Sequence, residues 1–133
     1  FIATPMHYPC SYGFVPNTLS EDGDPVDVLV IAEFPLQPGS VIPSKLIGVL
    51  VMEDEKGMDE KLLAVPTEKM NSEYSHYNEL KDIPEVLLNK IKHFFEHYKD
   101  LEKGKWVKIT GFKNAADAKK IMNEAVERAN LFL

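Results

Sequence analysis

The sequence predicts an antiparallel sheet or small barrel with helices packed on its outside. Three observations carry this. Pro5, Pro9, Pro16, Pro25, Pro35, Pro38 and Pro43 all precede residue 50 and punctuate short β-branched runs, so the first half reads as strands and turns. Apolar residues recur at helical spacing in two segments of the second half. A single alternating segment lies between those two.

In chain order, Tyr12–Val15 is a candidate strand. Val26–Ile31 is a β-branched run bounded by Pro25 and Pro35. Leu46–Met52 is a further strand, and Leu62–Val65 a short one stopped by Pro66. A helix is predicted from Ile83 to Tyr98, with Asp82 as its cap, Glu85 completing a capping box and Pro84 in the first turn, where no donor is needed. Leu87, Ile91, Phe94, Phe95 and Tyr98 form its apolar stripe. Trp106–Phe112 alternates as a strand should. Asn114 caps a last helix, Ala115–Asn130, with Ala118, Ile121, Met122, Ala125 and Ala129 along one face.

The chain has 133 residues, a fit for one domain spanning 1–133. Its 44% apolar and 27% charged residues exclude a disordered chain, a collagen and a disulfide scaffold. No apolar run reaches the roughly 20 residues of a membrane span. Fifteen basic against 21 acidic residues leave a net charge of −6, which repels a phosphate backbone and argues against nucleic-acid partners. Arg128 is the only arginine, so a bound anion must be held mainly by lysines, tyrosines or metal ions. Cys10 is alone, which suits a reducing cytoplasm. Phe1-Ile2-Ala3-Thr4 does not read as a signal peptide, and a start at Phe1 suggests a processed, truncated or partial chain.

The densest chemical signal is Asp22-Gly23-Asp24-Pro25-Val26-Asp27, three aspartates at the start of a strand. Carboxylates so close repel unless cations lie between them, and hard divalent ions favour such oxygen donors. A solvated acidic turn is the plainer reading. An EF-hand is excluded: Asp22, Asp24 and Glu33 suit positions 1, 3 and 12, but Asp27 stands where glycine is required. A second acidic run, Glu53–Lys61, reads alone as a charged hairpin tip; beside the first, it can converge on one ion cluster, with Lys61 as an anion ligand. Lys99, Lys103 and Lys105 follow the first helix, where they also suit its dipole. His93 and His97 are spaced i, i+4 without a zinc motif and read as surface or packing residues. Cys10 has no convincing partner base and reads as packed.

Beyond the Asp22–Asp27 string, Tyr8-Pro9-Cys10, Tyr12-Gly13-Phe14, Pro35–Val41, Leu63-Ala64-Val65-Pro66, His93–Glu102 and Lys105-Trp106-Val107 agree in order and spacing with one family. On these strings the chain closely resembles the soluble family I inorganic pyrophosphatases of bacterial type. The resemblance implies an OB-like five-stranded barrel with two flanking helices, assembled as a homohexamer, that hydrolyses pyrophosphate to two phosphates with several magnesium ions and a metal-activated water. It implies that Asp22, Asp27 and Asp59 ligate the ions flanking that water. Asp54 then ligates the ions arriving with substrate, with Glu55 in support, and Asp24 is the general base. Tyr12, Lys61, Tyr98 and Lys99 are the implied phosphate contacts. The family also has an N-terminal segment ahead of the position of Phe1, bearing part of the barrel, a substrate-binding lysine and arginine, and acidic site residues; the resemblance thus implies a truncated chain with an incomplete barrel.

Two other readings compete with the enzyme. One is a catalytically impaired, divalent-metal-binding fragment of it. The other is an OB-like nucleic-acid-binding module, with Phe14, Phe34 and Trp106 as stacking residues.

Overall fold

The computed structural model describes residues 10–32, 37 and 39–132. Five strands form one sheet: β1 (Ser11–Phe14), β2 (Asp27–Val30), β3 (Ser44–Asp54), β4 (Gly57–Pro66) and β5 (Val107–Asn114). Two helices, α1 (Glu85–His97) and α2 (Ala115–Phe132), flank it. Every predicted strand and helix is present, with shifted ends. The parts of the sequence reading that rest on Pro5, Tyr8, Pro9, Glu33, Phe34, Pro35, Leu36 and Pro38 lie outside the described residues.

The strand order is β1-β2-β4-β3-β5. Three of the four pairings are antiparallel, but β2 runs parallel to β4, with Val28 opposite Leu62 and Val30 opposite Ala64. The sheet is therefore mixed. It is open among the described residues, with β1 and β5 as its two edges.

Strand alternation divides the core in two. Leu29, Ile31, Leu50, Met52, Leu63 and Val65 face Ile91, Phe94, Phe95 and Tyr98 of the α1 segment. Val26, Val28, Val30, Val49, Val51 and Leu62 face Ala118 and Ala125 of α2. Small alanines let α2 lie close to a valine-rich sheet face, whereas the aromatics of α1 fill a deeper space.

The β3–β4 hairpin is longer than predicted. Its strands pair down to Asp54↔Gly57, so the turn itself is Glu55-Lys56. Asp54 Oδ1 accepts the Lys56 N–H at 2.9 Å, which closes the turn from the side chain. Gly57 follows at φ +120°, a conformation costly for any residue with a Cβ. Most of the second acidic run thus belongs to strands, and Asp59 and Lys61 lie on β4.

The start of α1 also differs. Pro84 occupies the cap position without a side-chain hydrogen bond. Asp82 instead closes a 3₁₀ turn, Leu80–Asp82, its Oδ2 accepting the N–H groups of Asn78 and Glu79 at 2.9 Å each. An adjacent pair of orphan donors outcompeted the helix start for that carboxylate. Asn114 directly precedes α2, but its Oδ1 accepts the N–H of the first helical residue, Ala115, at 2.8 Å and that of Leu80 at 3.0 Å, not a bond from the second or third residue of the helix as a cap would.

Candidate active site

Three adjacent strands bring the central group together. Asp27 and Lys61 each precede the Val28↔Leu62 level of the parallel pair, so they stand side by side on one sheet face. Asp59 is two residues before Lys61 and shares that face. Tyr12 of β1, opposite Leu29, completes it. The Lys61 Nζ lies 2.9 Å from Asp59 Oδ2, 3.1 Å from Asp27 Oδ2 and 3.2 Å from Tyr12 Oη. It also sits 5.1 Å from the Tyr12 ring centroid and 5.7 Å from that of Phe95.

Lys61 is only 3% exposed. Burial by itself would pull its pKa down, but Asp59, Tyr12 and Asp27 outweigh that and hold it above the ordinary lysine value. Lys61 therefore keeps its positive charge at neutral pH. Shielding pushes the Tyr12 hydroxyl above the usual phenol range, against the opposing pull of Lys61. Tyr12 thus remains an O–H donor at neutral pH.

A second group lies at the far end of the β3–β4 hairpin. Lys99 Nζ, just past α1, is 3.1 Å from Asp54 Oδ2 and 3.5 Å from Glu55 Oε1. Burial opposes ionisation of Asp54, yet the Lys56 N–H and the Lys99 ammonium hold its carboxyl below the usual range. Tyr98 joins the two groups. Burial raises the pKa of its hydroxyl, which lies within the fields of Lys61 and Lys99 and of Asp59 and Asp54.

The third group is the turn between β1 and β2. Asp22 Oδ1 lies 2.6 Å from Ser20 Oγ and accepts the Asp24 N–H at 3.0 Å. These two bonds, chiefly the one from Ser20, hold the Asp22 carboxyl below its ordinary pKa, and Lys61 adds to this at longer range. Gly23, at φ +91°, makes the turn that permits this. Asp22, Asp27 and Asp59 share the wall of one cavity of about 100 Å³. Asp24 is exposed and is not on that wall.

The predicted residues thus fall into three contiguous groups: Tyr12, Asp27, Asp59 and Lys61; Asp54 and Lys99, with Tyr98 between them and the first; and the Asp22–Asp24 turn. His93 and His97 are exposed, their ring centroids 4.6 Å apart, and His97 Nδ1 is 2.8 Å from Asp100 Oδ2. Burial pushes the Cys10 thiol up to about 12, which makes it a poor nucleophile at neutral pH. Phe14 and Trp106 are exposed, and Phe34 lies outside the described residues. Sequence reasoning passed over Thr18, Ser20 and Phe95. Hydroxyl residues shortly before an Asp-Gly pair are a turn signal that could have singled out the first two; Phe95 was read only as core.

The inorganic pyrophosphatase family pattern matches residues 1–130. The chain belongs to that family. It is 59% identical over 130 residues to the inorganic pyrophosphatase of Rickettsia felis, covering 98% of this chain and 75% of that protein. The corresponding Xanthomonas axonopodis pv. citri protein is 57% identical over 129 residues, covering 97% and 72%. Among solved structures, the Helicobacter pylori inorganic pyrophosphatase superposes with a TM-score of 0.94 at 50% identity, covering 97% of this chain and 76% of that one. The Thermus thermophilus enzyme gives 0.92 at 43%, covering 97% and 74%. The OB-like sheet with two flanking helices is thus the fold of this family.

The donor set bears on metal binding. Asp22, Asp27, Asp54 and Asp59 offer only hard oxygens, which suit divalent ions of the magnesium and calcium class. Two of them are gathered around the Lys61 ammonium, so the pocket already tolerates positive charge between its carboxylates. Among the described residues, no three acidic, histidine or cysteine side chains are grouped to hold a single ion. The chemistry of the donors fits, and their present grouping is around Lys61.

No helix among the described residues is long and apolar enough to cross a membrane.

Proposed function

We propose that this chain hydrolyses pyrophosphate to two phosphates with magnesium at the Lys61 cluster. One observation carries the reading: a buried ammonium flanked by carboxylates from two strands and by a tyrosine hydroxyl. Pyrophosphate is a compact polyanion, and a carboxylate-lined pocket would repel it. Membership of the family supports the same activity.

In this reading Asp22, Asp27 and Asp59 would hold the ions that activate water, and Asp54, supported by Glu55, would hold those that accompany the substrate. Bound divalent ions neutralise the phosphoryl oxygens and lower the pKa of water. Asp24 would be the general base, its carboxylate taking the proton of that water. It is exposed, and its N–H donates to Asp22, so the base and a ligand move as one turn. Lys61, Lys99, Tyr12 and Tyr98 donate N–H and O–H groups to the phosphates. Lys61 is already buried and oriented, so it offers its charge with little reorganisation. The same reading includes a homohexamer and a cytoplasmic location.

The test is phosphate release from pyrophosphate by the whole protein, with and without magnesium. Release that requires the metal and stops on chelation supports the proposal. No release at saturating magnesium overturns it.

A further inference from the structure

The turn bearing Asp22 and Asp24 is not held by the sheet alone. It departs at Val15 and returns at Val26, whose backbones join through Val15 N–H to Val26 C=O at 2.9 Å. Between these points the chain leans on α2. The Leu19 N–H donates to Ala125 C=O at 3.1 Å, and Arg128 Nη1 donates to Leu19 C=O at 2.6 Å. Both polar groups at Leu19 are thus taken by one helix. The next residue, Ser20, sits 2.6 Å from Asp22 Oδ1 through its hydroxyl, and its N–H donates to Asp24 C=O at 2.8 Å. A short covalent and hydrogen-bonded path therefore runs from Arg128 to both aspartates. Arg128 and Asp22 also share the cavity wall.

We propose that Arg128 is a positioning residue: through Leu19 and Ser20 it sets where Asp22 and Asp24 stand in the site. This rests on the pyrophosphatase reading for its effect on turnover, but not for its effect on the turn. A charged, planar donor on a half-buried carbonyl is among the stronger neutral-acceptor bonds, and it aims the peptide in a fixed direction. The alanines of α2 pack that helix onto the sheet, so it is a firm anchor for the turn. The sole arginine of the chain makes this contact.

Two variants separate positioning from general structural support. Arg128→Met keeps the apolar stem and removes the donor; Arg128→Lys keeps a cationic donor. Amide hydrogen exchange is read at Ser20, Gly23 and Asp24, with α2 amides as the internal standard, alongside the magnesium concentration for half-maximal phosphate release. Arg128→Met is expected to speed exchange at the three turn amides about tenfold relative to α2, and to raise the magnesium requirement by a similar factor. Arg128→Lys is expected to recover most of both. Turn exchange in Arg128→Met that matches the parent overturns the inference. So does a uniform acceleration across the turn and α2, or a failure of Arg128→Met to fold while Arg128→Lys behaves no better. If the parent releases no phosphate, the pyrophosphatase reading falls, and the exchange measurement alone decides the role of Arg128.

Discussion

Lys61 and Asp59 stand two residues apart on β4 and meet again through their side chains, Nζ to Oδ2, at 2.9 Å. Strand alternation puts both on one face, and the parallel partner β2 brings Asp27 to the other side of the same ammonium. The lysine is the internal counterion of a carboxylate pair.

Replacing Lys61 with Met leaves Asp27 and Asp59 facing each other without that counterion. The expected loss is about 3 kcal/mol in urea unfolding under chelating conditions, at the low end for a broken buried pair because both carboxylates are partly exposed. Added magnesium should recover part of it by binding the folded state. A variant as stable as the parent in chelator would contradict the counterion role.

Asp24 is exposed, and no side-chain ion pair ties it down among the described residues. Asp24→Asn should therefore leave the melting temperature almost unchanged while lowering kcat by roughly 10²–10⁴-fold, the usual worth of a general base. Full activity in that variant would remove Asp24 from the mechanism.

Thr18 is buried and uses its hydroxyl twice, donating to Val15 C=O at 2.6 Å and accepting the Val26 N–H at 3.1 Å. Thr18→Val keeps the shape and orphans both backbone groups, an expected cost of about 1–3 kcal/mol. Thr18→Ser should cost clearly less. A Thr18→Val midpoint equal to the parent's would show that the hydroxyl does not carry this stability.

Asp82 has its pKa lowered by the N–H groups of Asn78 and Glu79. A depressed carboxylate stabilises the fold fully above its unfolded pKa of about 3.9, and that stabilisation is lost as pH falls through the lower folded value. Asp82→Ala should lower the melting temperature near neutrality and narrow its gap from the parent as the pH drops into that acid range. A gap that stays constant down through it would show that the carboxylate charge is not the cause.

Much of this protein is legible in its sequence. The apolar stripe Ile91, Phe94, Phe95 and Tyr98, and the alanine face of the last helix, are local periodicities, and both turned up buried as expected. The Asp22–Asp27 string was legible because a turn needs its glycine and its short carboxylates close together in sequence. Local reading failed where partners are distant. Gly57–Lys61 is charged enough to resemble a loop, yet pairing with β3 makes it a strand. Asp82 matches a helix cap, yet two nearer orphan donors claim it. The parallel pairing of β2 with β4 appears nowhere in the residue pattern, and it alone sets Asp27 beside Lys61. Residue types and periodicity thus determined which elements form and which side chains carry charge. Only the tertiary structure decided which charges meet, because contacts across the sheet depend on strand order and register, which no short window of sequence contains.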